Sequence, residues 1–308
     1  MKILKLFSLF IILSGSAYAQ ADKWTWFFPP WEIVNSIAPE DSFVWAGTES
    51  GIMKVNALTG EKVFLQEWNM SLPVTCVYSI KIDKYKNKWI SAYPDKLLKY
   101  SENNWKVYEI SDLLGIPGKI NAIEPDIQGN LWLGTQRGLV KFDGTNWTIF
   151  DTTNSKLPDN NIRGLANDYS GNLWIATSRG LVKYDGNNWQ VFNKSNSALP
   201  SDLVDAVISD HHGNLWLTTW GGYLVKYDGQ NFNSFTKDNS GLPADNIYSL
   251  AVDAHDNLWI GMWMKVVKYD GTAWTSYDQP SGNLLRSSDA VYAIAQDAFG
   301  NIWAGGWN

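Results

Sequence analysis

From Val34 onward the chain is a succession of short runs in which apolar and polar positions alternate, and no stretch keeps the spacing of a long amphipathic helix. The segment Gly171 to Phe192, GNLWIATSRGLVKYDGNNWQVF, shows the pattern: an apolar LWIAT, a turn, GLVKY, a polar DGNN, then WQVF. With the alternating NIRGLAND before it, this predicts four short strands separated by turns. The Asp-Gly pairs at Asp143, Asp185, Asp228 and Asp270 predict tight hairpins, because the Asp side chain can close a local turn. Upstream, Gly129 to Phe150 says nearly the same thing: GNLWLGTQRGLVKFDGTNWTIF.

The unit recurs. Its central Trp falls at Trp45, Trp89, Trp132, Trp174, Trp216, Trp259 and Trp303, at intervals of 42 to 44 residues. Four-stranded units of about 40–45 residues are the signature of propeller blades. The expected fold is therefore all-β, a seven-bladed β-propeller of four-stranded blades filling residues 20–308 as one domain. The LW strand is apolar on both faces, as a sheet covered by the blades before and after it must be, which makes the seven Trp inter-blade core. Closure is expected from the N-terminal side, because Trp24 to Phe27, WTWF, matches the outermost strands WTIF and WQVF. Where other units continue with a strand like GLVKYDG, the chain stops at Trp307-Asn308, so the last blade is expected to have three strands or to continue beyond this sequence.

The first residues read differently. Lys2 and Lys5, the apolar Leu6 to Leu13, and Ala17-Tyr18-Ala19 make a secretory signal peptide, 1–19, cut after Ala19. The apolar run is shorter than the ~20 residues a spanning helix needs. A periplasmic or secreted location follows, with no membrane insertion after signal removal. The formal net charge is −6, and no basic run is long, so nucleic acid and anionic membrane are excluded as partners on electrostatic grounds. Cys76, the one cysteine, sits in the apolar VTCVYSI and reads as a buried small hydrophobe, with no disulfide partner in the chain.

Laid side by side, the units follow D..GNLWIGT..GLVKYDG..W..F, which resembles the two-component regulator propeller repeat over essentially the whole mature chain. The resemblance implies a ligand-binding module like the periplasmic sensor region of bacterial hybrid two-component systems, or a secreted relative. Several sensors of that family respond to polysaccharide breakdown products, so a small-molecule or oligosaccharide ligand is implied, with a downstream signalling module or another protein as further partner. Only one propeller is visible here, with no kinase module following it.

Two columns of residues are candidates for the ligand. Four positions after each central Trp stand Glu49, Tyr93, Gln136, Ser178, Trp220, Trp263 and Trp307. Trp220, Trp263 and Trp307 fall on consecutive units, and flat aromatic faces beside polar groups suit a sugar ring; they could equally cover neighbouring loops. Eleven positions before the Trp stand Tyr78, Asn121, Arg163, Asp205, Tyr248 and Tyr292, with Asn35 in the first unit. As innermost-strand residues they could line a polar funnel, although Arg163 and Asp205 could simply pair. Arg137 and Arg179 follow the first column and could take an acidic group of a sugar.

Catalysis is not expected. His211, His212 and His255 lie in D..GN turns, on the face opposite the candidate columns. The recurring Asp83, Asp126, Asp168, Asp210, Asp253 and Asp297 supply one carboxylate per turn, a turn cap rather than a calcium site. No cofactor, metal site or catalytic residue is therefore assigned. The alternatives are a protein-interaction scaffold and, further off, a metal-dependent lyase similar to streptogramin lyase, for which Asp205 and Glu49 are the evident recruits.

Overall fold

The structure, a computed structural model, describes residues 9–12, 24–26, 33–65, 75–115, 118–277 and 290–307. Residues Met1–Ile80 with Asn246–Asn308 form one compact unit and Lys81–Asp245 a second. Both are built from antiparallel four-stranded propeller blades.

Six sheets consist of four strands that follow one another in the chain, over residues 34–65, 77–109, 120–150, 162–192, 204–235 and 247–277. The third blade shows the plan: Ile120–Pro125 innermost, then Leu131–Thr135, Gly138–Phe142 and Trp147–Phe150 outermost. The Leu131–Thr135 strand is buried at all five positions. Within the second unit neighbouring blades share their core: Trp132, Leu139 and Leu157 of the third meet Ile162, Leu165, Ile175 and Val182 of the fourth. In the first unit Trp259 and Val266 pack against Val291, Ile294 and Ile302 in the same way. The seven central Trp are between 0% and 4% exposed, as inter-blade core. Each contributes about 2–3 kcal/mol by leaving water.

The expected count of seven blades is corrected to six. The last two described strands, Ala290–Gln296 and Ile302–Trp307, share their sheet with two short segments from near the start of the sequence instead of forming a blade of four successive strands. Trp24–Trp26 stands outermost in that sheet, separated from them by a strand that the repeat pattern did not include. Ile302–Trp307 is extended by Leu9–Ile12, with Phe10 opposite Ala304, and Trp24–Trp26 pairs in turn on Leu9–Ile12. The repeat count by Trp alone missed this because an LW strand marks a hairpin, not a complete blade. Phe27 lies outside the described residues, as does most of the segment read as a signal peptide.

The D..GN turns fix each central Trp by a repeated network. Asp126 Oδ1 accepts from the N–H of Gly129 and Asn130, and its Oδ2 accepts from Asn130 Nδ2 and from the indole Nε1–H of Trp132. Asp83, Asp168, Asp210, Asp253 and Asp297 make the same indole bond, at 2.8 to 3.2 Å. In the first blade Glu40 Oε2 takes over this role for Trp45. The requirement that a buried Trp find an acceptor explains why Asp, Asn and Trp recur together. At the other hairpins, Asp185 Oδ1 accepts from the N–H of both Asn187 and Asn188. These loops are four residues long, Asp185 to Asn188, rather than two-residue turns.

Candidate functional site

Six of the innermost strands that carry a second-column residue share one irregularity. In the fourth blade Ile162 pairs with Thr177 and Gly164 with Ala176, so Arg163 is the extra residue of a β-bulge. The same break isolates Asn35, Asn121, Asp205, Tyr248 and Tyr292 in their strands. A bulge releases its residue from the ladder and re-aims the side chain. Tyr78 aside, the candidate column is thus a column of bulge residues.

Freed in this way, several of them reach the next innermost strand. Asn35 Nδ2 donates to Val77 O at 3.0 Å, and Asn121 Nδ2 to Ile162 O at 2.8 Å. Arg163 Nε donates to Asp205 Oδ1 at 2.7 Å, and its Nη2 pairs with the same oxygen. Arg163 and Asp205 thereby satisfy one another instead of presenting a free charge pair. Cys76, beside Asn35, is half-buried rather than fully enclosed.

The bulge residues Tyr248 and Tyr292 do something else. Tyr248 and Tyr292 meet edge to face, with centroids 5.5 Å apart and planes at 88°. Trp263, from the turn after the sixth blade's central strand, lies 6.3 Å from Tyr248. Its backbone bridges to Ala290, which ties it to the strand carrying Tyr292. Tyr248 and Trp263 remain 39% and 36% exposed, so their faces are available. Burial, then Tyr248 and the negative charge of Glu49, push the Tyr292 phenol up, which keeps it a neutral hydroxyl able to donate. Two columns that are separate in sequence therefore meet here as three rings, with the negative charge of Glu49 acting on Tyr292.

The other candidates are placed as follows. Trp220, in the second unit, is 71% exposed on a turn one residue longer than its counterparts, TTWGGY. Gly221 and Gly222 carry φ of 94° and 79°, and a Cβ on Gly222 would collide with the backbone of Asp245, so this turn requires glycine. In the regular turns Thr135 and Thr177 donate to the carbonyls of Gly138 and Gly180. The longer turn leaves Thr219 Oγ1 buried without a partner among the described residues. Tyr93 is 56% exposed. Arg179 reaches Asp159 at 3.4 Å, while Arg137 is exposed at its turn. Trp307 ends the last strand, and its side chain lies outside the described residues. His212 and His255 occupy Asp turns, their backbone N–H groups bonded to Asp210 and Asp253.

With the geometry in place, comparison with known proteins gives the class. The family described as two component regulator propeller matches residues 115–137, 156–179, 241–264 and 286–308. The chain carries two-component regulator propeller repeats. No curated protein sequence matches it. Among solved structures, it is similar to the extracellular domain of a hybrid two-component system, BT3049, from B. thetaiotaomicron, with TM-score 0.76 and 23% identity. That alignment covers 91% of this chain and 38% of the other, so the chain spans well under half the length of that protein. Virginiamycin B lyase from Staphylococcus aureus aligns with TM-score 0.70 at 13% identity, covering 90% of this chain and 95% of the lyase. PorZ of Porphyromonas gingivalis, a surface component of the type-IX secretion system, aligns with TM-score 0.59 at 17% identity, over 73% of this chain and 37% of PorZ. A sensor domain, a lyase and a secretion component share the fold, which is what identities this low establish. Among the described residues no helix is long and apolar enough to cross a membrane.

Proposed function

We propose that this protein is an exported, non-catalytic binding propeller that recognises an oligosaccharide in the manner of a periplasmic sensor region. The observation that carries the reading is the cluster of Tyr248, Tyr292 and Trp263, with the charge of Glu49 acting on Tyr292. Half-exposed rings held at fixed angles offer flat faces to the axial C–H patch of a pyranose, while the phenol hydroxyls and the Glu49 carboxylate take its hydroxyls. The bulges support the reading because they hold both tyrosines on strands, where position is better defined than on loops. The repeats, the likeness to an extracellular sensor domain and the leader-like N-terminus favour export and a signalling partner.

The test is calorimetric titration of the full chain with a panel of neutral and acidic oligosaccharides, using Trp263→Ala and Tyr292→Ala as controls. Saturable binding that both substitutions weaken at least tenfold supports the reading. Absence of binding across the panel by folded protein sinks it.

A protein-docking scaffold is favoured by a different observation. Tyr85, Ile127 and Tyr169, on three consecutive Asp turns, are 66%, 66% and 64% exposed. Binding of a protein partner that Tyr85→Ser and Tyr169→Ser abolish, in a chain indifferent to glycans, would select it.

A further inference from the structure

Each blade's third strand carries a Lys whose ammonium lies over the central Trp, and strand register sets one residue of the outermost strand directly opposite it. Opposite Lys54, Lys141, Lys183, Lys226 and Lys268 stand Val63, Thr148, Gln190, Asn233 and Thr275, all neutral. In the second blade the residue opposite Lys99 is Lys106. Two like charges facing each other across an antiparallel pair destabilise a sheet. Neither makes a hydrogen bond or ion pair with any described residue.

Both lysines line a groove of about 460 Å³ between the second and third blades, within the second unit. Lys99 Nζ lies 5.1 Å from the Trp89 ring and Lys106 Nζ 4.7 Å from the Tyr108 ring, two rings whose centroids are 6.1 Å apart. Two acids share the groove, but each is held by its own turn and neither forms an ion pair with Lys99 or Lys106. Asp83 spends its oxygens on the N–H of Tyr85 and Asn87 and on the side chains of Asn87 and Trp89. Asp143 Oδ1 accepts from the N–H of Thr145 and Asn146, and its Oδ2 from Asn146 Nδ2.

The geometry points to an oxyanion site in this groove, in which Lys99 and Lys106 together hold a carboxylate, sulfate or phosphate group of a ligand. The bound anion converts a repulsive cross-strand pair into a bidentate cation clamp, with the Trp89 and Tyr108 rings holding both ammonium groups in place. Tyr85, 66% exposed at the groove's edge, offers a flat face to whatever carries the anion. The site is separate from the tyrosine cluster in the first unit and does not depend on that cluster binding sugar.

The experiment titrates the full chain, Lys106→Thr and Lys106→Arg with sodium sulfate, sodium phosphate and sodium glucuronate by calorimetry at constant ionic strength. Thr already occupies this register at Thr148 and Thr275, so Lys106→Thr is compatible with the blade. At least one anion is expected to bind the native chain saturably, to bind Lys106→Arg within a few-fold as well, and to bind Lys106→Thr at least tenfold more weakly. Which anion binds identifies the source: glucuronate alone means an acidic sugar, sulfate or phosphate an esterified or free oxyanion. Absence of saturable binding by all three, or equal binding by Lys106→Thr, overturns the site. Heating all three proteins with and without sulfate gives a second reading, because an equal rise in Tm throughout is the general effect of an excluded salt and counts against it.

Discussion

The Tyr292 hydroxyl lies within the electrostatic reach of Glu49, a residue from the first blade's turn acting on a bulge residue near the end of the chain. A carboxylate beside a phenol disfavours the phenolate. Glu49→Gln is therefore expected to lower the Tyr292 pKa, leaving the contributions of burial and Tyr248 in place. Titration of the tyrosine ring carbons by NMR checks this, and an unmoved Tyr292 resonance midpoint would separate the two residues.

The Asp126 to Trp132 bond carries a stability prediction. Asp126→Ala removes the acceptor of a buried indole N–H together with the turn's internal bonds. A loss of about 2 kcal/mol is expected, because a buried donor is left without a partner. Urea unfolding of the full chain measures it, with Thr145→Ala as an exposed comparison expected to change little.

Close approach of strands sets a second cost. A Cβ on Gly261 would run into Ser249 Oγ and Val291 O. Gly261→Ala is expected to destabilise the protein by about 1–3 kcal/mol through overpacking. Because Ser249 and Val291 each adjoin a bulge tyrosine, the same substitution should also weaken any ligand of the Tyr248 and Tyr292 cluster. Melting temperature and titration together test both effects.

The four-residue hairpins make stability sensitive to acid. Backbone N–H bonds, from Asn188 to Asp185 and from Ala273 to Asp270 foremost, hold both carboxyls down at about 2, against an ordinary value of 3.8. A folded-state value below the unfolded one means stability that is fully present above about pH 4 and lost as pH falls toward 2. NMR titration should place both carboxyls near 2, and Asp185→Asn should flatten part of the loss of stability over that window.

By contrast, the Arg163 to Asp205 pair is expected to matter little to stability. Both side chains are 37% exposed, and exposed ion pairs contribute at most about 1 kcal/mol. Arg163→Ala and Asp205→Ala should each lower stability by no more than that, and the double substitution should cost less than the two combined. A larger, additive loss would show that each side chain has separate work in the fold.

Much of the architecture could be read from Trp spacing, because a buried indole and its Asp acceptor must recur wherever one blade covers the next. The blade count could not. Trp303 marks a hairpin as well as it marks a blade, and the strand that extends Ile302–Trp307 is Leu9–Ile12, which reads as leader. The candidate site was legible as columns: Tyr248, Tyr292 and Trp263 were all picked out. Their convergence was not, because a bulge leaves no mark on alternation, and NIRGLAND looks the same whether or not Arg163 drops out of register. Lys106 stood in plain view, but its charge acquires meaning only once the ladder sets it opposite Lys99.

The repeated bulge has a consequence for how such a chain can diversify. In six innermost strands one residue is excused from the hydrogen-bond ladder, so its identity is less constrained by strand pairing than its neighbours'. Asn, Arg, Asp and Tyr all occupy it here on nearly the same backbone. The blades behave as identical sockets with exchangeable fittings, and a new specificity can arise by changing what is mounted in a few of them while the array that carries them stays as it is.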